Sequence, residues 1–346
     1  MTSAFRLAIV GAGRIAATAH LPAALSAPGV ELAALVDPVL DRARALAQPY
    51  GIRPRVAASV AEVLSEIDGA VIATPNHTHC EIALECCRAG VHTLIEKPLA
   101  VSVEEGEEIA RAARASGVVV AVGYVRRFNE SVPLMADLLR SGYFGAIRRF
   151  AYQAGSAGRW APLSGYTLDR KATGGGVVVV TGTHFLDRML YWFGHPDRVE
   201  YQDDSLGGPE DNAFATIHYS SPAGAFEGRV RFSKSVPLRN GFVMETDAGI
   251  VLLREAAQAP ILFRPTAYPD LEMIVQRNGG PRFPPGKRNF QLQLEDFVDA
   301  CRTGRPPMAP VEDGLASLRL VEALYACRTP MPTDWYSYLR APAITS

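Results

Sequence analysis

The sequence predicts two domains: an N-terminal α/β domain with a doubly wound parallel sheet, then an α+β domain built on a large, mainly antiparallel, open sheet. The chain has 346 residues, 48% of them hydrophobic, which is more than one hydrophobic core usually holds. Its first part alternates short, continuously apolar runs with helical periodicity, whereas later segments alternate apolar and polar residues with period two. We expect domains at residues 1–124 and 125–346.

In the first domain, strands and helices are expected to alternate as they do in a parallel sheet covered on both faces. The apolar runs that predict its strands are residues 6–10, 31–36, 69–74, 92–95 and 118–123. Helical periodicity lies between them, at residues 15–26, 41–50, 60–66, 78–89 and 103–116. A sheet of this type binds its ligands beyond the carboxyl ends of its strands.

The second domain mixes helices with half-buried strands. Helices are predicted at residues 131–141 and 184–193, and strands at residues 212–219, 225–233, 242–246 and 250–253. Two C-terminal helices, at residues 290–301 and 312–327, are separated by the breaker Thr303-Gly304-Arg305-Pro306-Pro307. We expect this C-terminal part, about residues 288–328, to pack back toward the first domain.

The composition argues against several classes of partner. The 35 Lys and Arg residues nearly balance the 36 Asp and Glu residues without long blocks, so nucleic acid is not an expected partner. No apolar run approaches the ~18 residues of a membrane span and no signal peptide is evident, so we expect no membrane partner and a cytoplasmic location. The five cysteines lack CxxC spacing, which favours neither disulfides nor a metal site.

A glycine-rich turn directly follows the first predicted strand and precedes a predicted helix. It is the G-x-G-x-x-A form of a dinucleotide-binding fingerprint, in which the first glycine permits the tight turn and the second admits a pyrophosphate. The N-terminus of the helix then attracts the negative charge. We therefore expect a dinucleotide to bind at Gly11, Ala12, Gly13, Arg14 and Ile15, with Ala16 allowing close helix packing.

Asp37 ends the second predicted strand, where a carboxylate can accept hydrogen bonds from the adenosine ribose. The same charge repels a ribose 2′-phosphate, so the sequence favours NAD over NADP. Arg42 and Arg44 lie nearby and could still accommodate a phosphate. The alternative interpretation is a glycine turn with an unrelated surface aspartate.

Two further polar stretches follow strands at the expected ligand edge of the sheet. They contribute Thr74, Pro75, Asn76 and His79 after one strand, and Glu96 and Lys97 after the next. We expect these residues to face the cofactor, with Lys97 reaching the nicotinamide edge and a reacting oxygen. The alternatives are an ion pair of Lys97 with Glu96, and turn or helix-cap roles for Asn76 and His79.

These motifs resemble those of the glucose-fructose oxidoreductase, inositol dehydrogenase and rhizopine-catabolism family, Gfo/Idh/MocA. Glu96-Lys97-Pro98 is the most specific element of a resemblance that spans nearly the whole chain. Its other elements are the fingerprint, Thr74-Pro75-Asn76, Gly174-Gly175-Gly176, His184, Gly304-x-Pro306-Pro307 and Glu312-Asp313-Gly314. The resemblance implies a Rossmann domain, an α+β domain whose open sheet builds oligomer contacts, pyranose or cyclitol substrates, and catalytic roles for Lys97 and His184.

Residue 180 departs from the family pattern, which places an Asp four residues before the histidine. In this chain the position is Val180. Without that carboxylate the positive charges of Lys97 and His184 repel each other, which lowers both pKa values. Asp187 lies three residues after His184, but the family usually has an Asp there as well, so we interpret Asp187 as structural. We expect activity to persist with an altered pH dependence or an altered reaction.

Hydride transfer from an alcohol requires a base that accepts the hydroxyl proton. The ordinary pKa of imidazole, about 6.5, suits this task, whereas a lysine near 10.4 must be shifted downward. We therefore expect His184 to act as the base. Lys97 would hydrogen-bond the same oxygen and stabilise its developing negative charge. The structural alternative for His184 is a histidine satisfied inside a helix-packed core.

The substrate is expected to lie in the cleft between the domains. Besides Lys97 and His184, the residues expected to line it are Tyr124, Arg126, Arg127 and Trp160. For the two arginines a solvated interdomain ion pair is the alternative, and Trp160 could simply pack against its neighbours.

The whole sequence thus predicts a nicotinamide-dependent oxidoreductase acting on a sugar, sugar derivative or cyclitol. It also predicts a homodimer or homotetramer, because the broad second sheet leaves a face that needs cover. One alternative is a nonredox enzyme that transiently oxidises a glycoside, cleaves or eliminates, and re-reduces it with retained NAD. Another is a non-catalytic nucleotide-binding subunit, which Val180 alone favours.

Overall fold

The computed structural model describes residues 3–157, 165–254, 259–284 and 286–332. Within them, the first sheet has six parallel strands in the order β3-β2-β1-β4-β5-β6. They are β1 (Phe5–Val10), β2 (Val30–Val36), β3 (Arg55–Ala57), β4 (Gly69–Ile72), β5 (His92–Ile95) and β6 (Val120–Val122). The helices that alternate with them are α1 (Leu21–Ser26), α2 (Leu40–Ala47), α3 (His79–Arg88) and α4 (Val103–Ser116). The predicted doubly wound sheet is confirmed.

Two segments of this domain differ from the sequence prediction. The helix expected at residues 60–66 is wrong: the chain forms two short 3₁₀ turns, Val60–Glu62 and Leu64–Glu66. Ser59 and Glu62 form a capping box around the first turn, and the segment is too short to nucleate a stable α-helix. The helix expected from residue 15 instead opens with a wide π-helical turn, Ala16–His20, before α1.

The second sheet has nine strands within the described residues, in the order β14-β13-β12-β11-β7-β10-β9-β8-β15. They are β7 (Ile147–Gly155), β8 (Arg198–Asp203), β9 (Asn212–Ser221), β10 (Gly224–Ser233), β11 (Gly241–Thr246), β12 (Gly249–Arg254), β13 (Ile261–Pro265), β14 (Met273–Val275) and β15 (Arg328–Pro330). The pairs β7–β10 and β8–β15 are parallel and the others antiparallel. The predicted large, mainly antiparallel sheet is confirmed.

Helices cover one face of the second sheet. They are α5 (Ser131–Arg140), α7 (Thr183–Phe193) and the C-terminal half of α9 (Val311–Ala326), whose apolar residues share one core with the strands. The short helix α6 (Arg170–Thr173) packs on the turn after β4, and α8 (Asn289–Thr303) packs on the first sheet. An aromatic core lies between α7 and the sheet, where Trp192 packs 5.1 Å from Phe242 between ring centroids. This core fixes α7, the helix that carries His184, against the sheet.

The two C-terminal helices pack on the first sheet's layers. Phe297 of α8 lies in the core beneath β1, with its ring 6.1 Å from that of Phe5. Leu318 of α9 joins the core beside α4 and β6, and the N–H of Val122 donates to the carbonyl of Ala309 at 2.9 Å. The division of the chain at residue 124 stays a prediction. No helix in the described part of the chain combines the length and apolarity needed to cross a bilayer.

Candidate active site

The fingerprint turn has the backbone geometry that its glycines predict. Gly11 has φ +98°, and a Cβ at this position would lie 2.6 Å from the carbonyl oxygen of Ala73. A Cβ on Gly13 would meet nothing within 4 Å, because this part of the turn faces outward. Arg14 and Ile15 are exposed beside it. The turn therefore offers an open glycine surface at a helix N-terminus, as a pyrophosphate requires.

Asp37 is held at the carboxyl end of β2, next to that turn. Its carboxylate accepts hydrogen bonds from the N–H of Ala12 at 2.9 Å and of Val39 at 2.8 Å. The side chain is thereby fixed at the edge where a ribose would follow the pyrophosphate. Arg44, a possible phosphate ligand, instead pairs with Asp41 at 2.8 Å.

The turn after β4 is tied to both domains by buried hydrogen bonds. Asn76 Nδ2 donates to the carbonyl of Thr173 at 2.9 Å, which links the turn to α6. His79 is fully buried, and its two ring nitrogens each lie 3.0 Å from a backbone carbonyl oxygen, those of Thr74 and Pro98. The structure therefore places Asn76 and His79 beneath the turn that Thr74 and Pro75 begin, where they fix its shape.

Glu96 and Lys97 follow β5 at the same edge of the sheet. Glu96 Oε1 lies 2.8 Å from His20 Nε2, and Glu96 Oε2 accepts from the N–H of Lys97 at 3.1 Å. The ammonium of Lys97 reaches across to the second domain and donates to the carbonyl of Val180 at 2.9 Å. The side chain that the sequence predicted to be catalytic thus spans the gap between the two sheets.

Val180 lies in a second wide turn, the π-helical segment Val178–Gly182, which runs directly into α7 and His184. π-Helical turns are rare and often occur at functional sites. Lys97 therefore meets a backbone carbonyl of this turn, and the side chain at position 180 supplies no charge.

The pKa of Lys97 is lowered, and burial is the main cause. The positive charges of Lys234 and Arg126 lower the pKa further, whereas the carboxylate of Glu96 opposes the shift. Lys97 therefore loses its proton at a lower pH than a solvated lysine does.

The pKa of His184 lies well below its usual range. Burial is the main cause, and the positive charges of Lys97, Arg126 and Arg188 act in the same direction. His184 Nδ1 is buried without a hydrogen-bond partner among the described residues. The imidazole is neutral at physiological pH, which is the form that accepts a proton.

Two arginines extend the positive charge around His184. The guanidinium carbons of Arg126 and Arg188 lie 4.9 Å and 5.0 Å from the ring centroid of Phe185, the residue that follows the histidine. Arg188 also donates through Nε to the carbonyl of His184 at 3.3 Å. The structure therefore brings Arg126 to the site, together with Arg188, which the sequence reasoning missed.

Arg127 and Tyr124 lie away from this cleft surface. Arg127 is 2% exposed and pairs with Asp187 at 2.5 Å and with Asp313 at 2.6 Å. Tyr124 is 1% exposed beneath it, with the Arg127 guanidinium 5.8 Å from its ring centroid. Arg127 thus forms an interdomain ion pair, as the alternative interpretation held, but a buried rather than a solvated one. Trp160 lies outside the described residues.

Gly176 allows a buried carboxylate to organise the start of the second wide turn. Glu210 is fully buried and accepts from the N–H groups of Gly176 at 2.9 Å and Val178 at 3.0 Å, and from the hydroxyl of Tyr325 at 2.8 Å. A Cβ on Gly176 would lie 2.3 Å from the Glu210 backbone. The triple glycine is therefore a structural support for the helix that carries His184.

Models of one oxidoreductase family match two consecutive parts of the chain. Residues 5–124 match "Oxidoreductase family, NAD-binding Rossmann fold", and residues 136–238 match "Oxidoreductase family, C-terminal alpha/beta domain". The chain belongs to the Gfo/Idh/MocA family. The resemblance of the motifs is thereby confirmed, and with it the assignment to the oxidoreductases.

Relatives in this family match over nearly their whole length. A 1,5-anhydro-D-fructose reductase of Ensifer adhaerens is 32% identical over 324 residues, 90% of this chain and 93% of the relative. The rhizopine catabolism protein MocA of Rhizobium meliloti is 29% identical, covering 92% and 93%. The scyllo-inositol 2-dehydrogenase (NAD(+)) of Bacillus subtilis (strain 168) is 26% identical, covering 95% and 96%.

The Gfo/Idh/MocA fold is also seen in solved structures. The aldose-aldose oxidoreductase of Caulobacter crescentus, complexed with glycerol, superposes with a TM-score of 0.82 at 24% identity, covering 94% of this chain and 97% of that one. At this identity the likeness supports the fold alone.

Several residues around the Gfo/Idh/MocA site were not predicted. Arg188 lies one helical turn after His184, so its i, i+4 spacing was a usable signal. Lys234 follows β10 directly, and Glu210 lies in a loop; neither has a local motif. No group of three His, Cys, Asp or Glu side chains among the described residues is arranged to hold a metal ion.

Proposed function

We propose that this chain is an NAD-dependent dehydrogenase or reductase that transfers a hydride between the cofactor and a ring carbon of a sugar, sugar derivative or cyclitol. The observation that carries the proposal is the placement of Lys97 and neutral His184 at the carboxyl edge of the dinucleotide-binding sheet. Relatives named as a 1,5-anhydro-D-fructose reductase and a scyllo-inositol 2-dehydrogenase support the substrate class.

The cofactor preference follows from the charges at the end of β2. Asp37 offers carboxylate oxygens to a ribose diol and opposes a 2′-phosphate, while Arg44 is engaged by Asp41. The outward surface at Gly13, Arg14 and Ile15 fits a pyrophosphate. When bound, a nicotinamide supplies the hydride acceptor or donor.

In the oxidative direction, the substrate hydroxyl gives its proton to His184 while the carbon that bears this hydroxyl gives up a hydride. The imidazole has the neutral form that a base must have, because burial and neighbouring cations lower its pKa. The Lys97 ammonium donates a hydrogen bond to the Val180 carbonyl in this structure. With substrate bound it can donate to the substrate oxygen and stabilise the negative charge that develops there. Reduction uses the same groups in reverse.

A substrate panel tests the proposal. Purified protein with stoichiometric NAD is incubated with free sugars, cyclitols, nucleotide sugars and glycosides in deuterated water, and each compound is followed by mass spectrometry. We expect one class to lose two hydrogens. Lys97→Met keeps an unbranched side chain, one atom shorter and without the ammonium, so it should bind NAD and lose most of this conversion.

Other outcomes of the panel contradict the proposal. Cleavage or solvent-deuterium incorporation without net oxidation supports the transient-redox alternative. Demonstrated NAD binding with no change in any compound, and no oxidation of NADH by the corresponding ketones, supports a non-catalytic subunit.

The assembly is also proposed to be a homodimer or homotetramer formed through the outer face of the second sheet. That face carries the exposed apolar side chains Val243 and Ile250 on neighbouring strands. An ion pair between Arg149 of β7 and Glu245 of β11 lies beside them. A face with both apolar and oppositely charged groups can complement a second copy of itself.

A further inference from the structure

His20 and Glu96 form a buried pair directly beside Lys97. His20 Nε2 lies 2.8 Å from Glu96 Oε1, and the two side chains are 3% and 12% exposed. The His20 ring also packs edge-on against Phe290, with 5.2 Å between ring centroids. Because the ring is fixed by the wide turn Ala16–His20 and by Phe290, the carboxylate it contacts has a defined position.

The rest of Glu96 is equally confined. Its second oxygen accepts from the N–H of Lys97 at 3.1 Å, and its own N–H donates to the carbonyl of Ile72 at 2.9 Å. On the other side lies Gly123, where a Cβ would come within 3.0 Å of Glu96 Cα and 3.1 Å of Glu96 Oε2. These contacts confine the backbone and Oε2 of Glu96, and the contact with His20 fixes Oε1.

The Glu96 carboxylate is the negative charge that opposes several positive charges around Lys97. The positive charges of Lys234 and Arg126 lower the pKa of Lys97. The charge of Lys97 in turn lowers the pKa of His184, and Val180 offers the lysine an uncharged carbonyl. Glu96 opposes these cations, and its negative charge is also felt by His79 and Tyr166. Burial alone would raise the pKa of Glu96, but the hydrogen bond and charge of His20, with those of Lys97, bring the pKa below its ordinary value.

We propose that His20 is a positioning residue: it holds the Glu96 carboxylate beside Lys97 and so keeps the ammonium charged and able to donate to a substrate oxygen. The role of Lys97 rests on the proposed function, but the placement of the charge can be tested without catalysis. His20 itself need not touch substrate or cofactor.

Trace acetylation with acetic anhydride measures this directly, since only the unprotonated amine reacts. The chain has four lysines, Lys97, Lys171, Lys234 and Lys287, which mass spectrometry of peptides can separate. The pH midpoint of Lys97 labelling is compared in the native protein, His20→Leu, His20→Gln and Glu96→Gln. Exposed Lys171 is the internal reference.

We expect Glu96→Gln to move the Lys97 midpoint to lower pH by about one unit or more, because the lysine loses an opposing charge. His20→Leu should move the midpoint in the same direction by a smaller amount, because the carboxylate remains but is no longer held in place. His20→Gln retains a side-chain N–H donor and should move it less. In the double variant His20→Leu/Glu96→Gln the midpoint should equal that of Glu96→Gln, since His20 acts through Glu96.

His92→Leu is the matched control. His92 is a partly buried histidine at the opposite end of β5, where its Nδ1 accepts from the N–H of Val119 at 2.9 Å. This variant should lower the melting temperature without moving the Lys97 midpoint. An unmoved midpoint in folded His20→Leu overturns the proposal. If His20→Leu does not fold, an unmoved midpoint in Glu96→Gln does so.

The two proposals fail separately. A shifted Lys97 midpoint together with a silent substrate panel would leave the placement of Glu96 established and would reject only the proposed reaction. Conversion of a substrate in the panel together with unmoved Lys97 midpoints would support the proposed reaction and reject the positioning role of His20.

Discussion

Val180 leaves the region between Lys97 and His184 without a carboxylate from the second domain. The lysine donates to the backbone carbonyl of this residue at 2.9 Å, so a side chain at position 180 starts close to the ammonium. The pKa of His184 is lowered by burial and by the charge of Lys97, among others. A negative charge introduced here would act against these repulsions.

Val180→Asp should therefore raise the pKa values of both His184 and Lys97 by about one unit. The base must be neutral to accept a proton, so the acid limb of kcat/KM moves to higher pH. The basic limb also moves to higher pH, because Lys97 keeps its proton longer. The His184 titration can be followed by NMR of the seven histidines without any substrate.

Val180→Asn is the control for this change, because it has nearly the same shape as aspartate without the charge. It should leave the His184 titration close to that of the native protein. If aspartate and asparagine shift it equally, the effect is steric and the electrostatic account of residue 180 is wrong.

Residues whose role depends on local sequence could be placed in advance. Gly11 and Asp37 could be predicted because the backbone of one turn and the end of one strand define their environment. Arg127 could not be distinguished from its neighbour Arg126 by sequence. Its partners Asp187 and Asp313 lie 60 and 186 residues away, and only the packed structure brings them together.

At the scale of elements, alanine substitution of the two glycines in the turn between β1 and α1 should have different effects. Gly11→Ala should lower the melting temperature, because the backbone is at φ +98° and the new Cβ would lie 2.6 Å from the Ala73 carbonyl oxygen. We expect a loss of about 1–3 kcal/mol in the free energy of unfolding, measured by chemical denaturation.

Gly13→Ala is the matched substitution, two residues away. Its Cβ would meet nothing within 4 Å, so the melting temperature should stay near the native value. NAD affinity, measured by calorimetry, should fall because the methyl group occupies the approach to the pyrophosphate. Equal loss of stability in both variants would refute this separation of structural and binding glycines.

Element prediction succeeded where burial makes a segment apolar along its whole length, as in β4. β7 was missed because its second and third residues, Arg148 and Arg149, are both exposed and charged, which interrupts its alternation. β3 was missed because it has three residues, of which one is buried. Short edge strands take their structure from a neighbour, and their own sequence carries little signal.

At the scale of the whole molecule, Arg127 joins parts of the chain that are far apart in sequence. It follows β6 and contacts Asp187 on α7, Asp313 on α9 and the carbonyl of Met308 at 2.8 Å. Arg127→Met should cost about 3–5 kcal/mol in the free energy of unfolding, because it leaves the buried Asp187 carboxylate uncompensated. Urea denaturation followed by circular dichroism provides the measurement.

Arg148→Met controls for the loss of an arginine. Arg148 pairs with Asp247 at 2.5 Å, but their side chains are 62% and 46% exposed, so its removal should cost less than about 1 kcal/mol. Equal losses in the two variants would show that burial of the Arg127 cluster contributes nothing to stability.

The proposed assembly depends on the outer face of the second sheet. Val243 and Ile250 are 38% and 39% exposed on the neighbouring strands β11 and β12. In a symmetric dimer each substitution occurs twice in one interface, so Val243→Glu would bring like charges together and bury them. We expect the native protein to have the mass of a dimer or tetramer by light scattering, and Val243→Glu to dissociate at micromolar concentration.

Leu25→Glu, at a 42% exposed site on α1, should assemble normally. A monomeric native protein, or an unchanged mass in Val243→Glu, would reject this face as the interface.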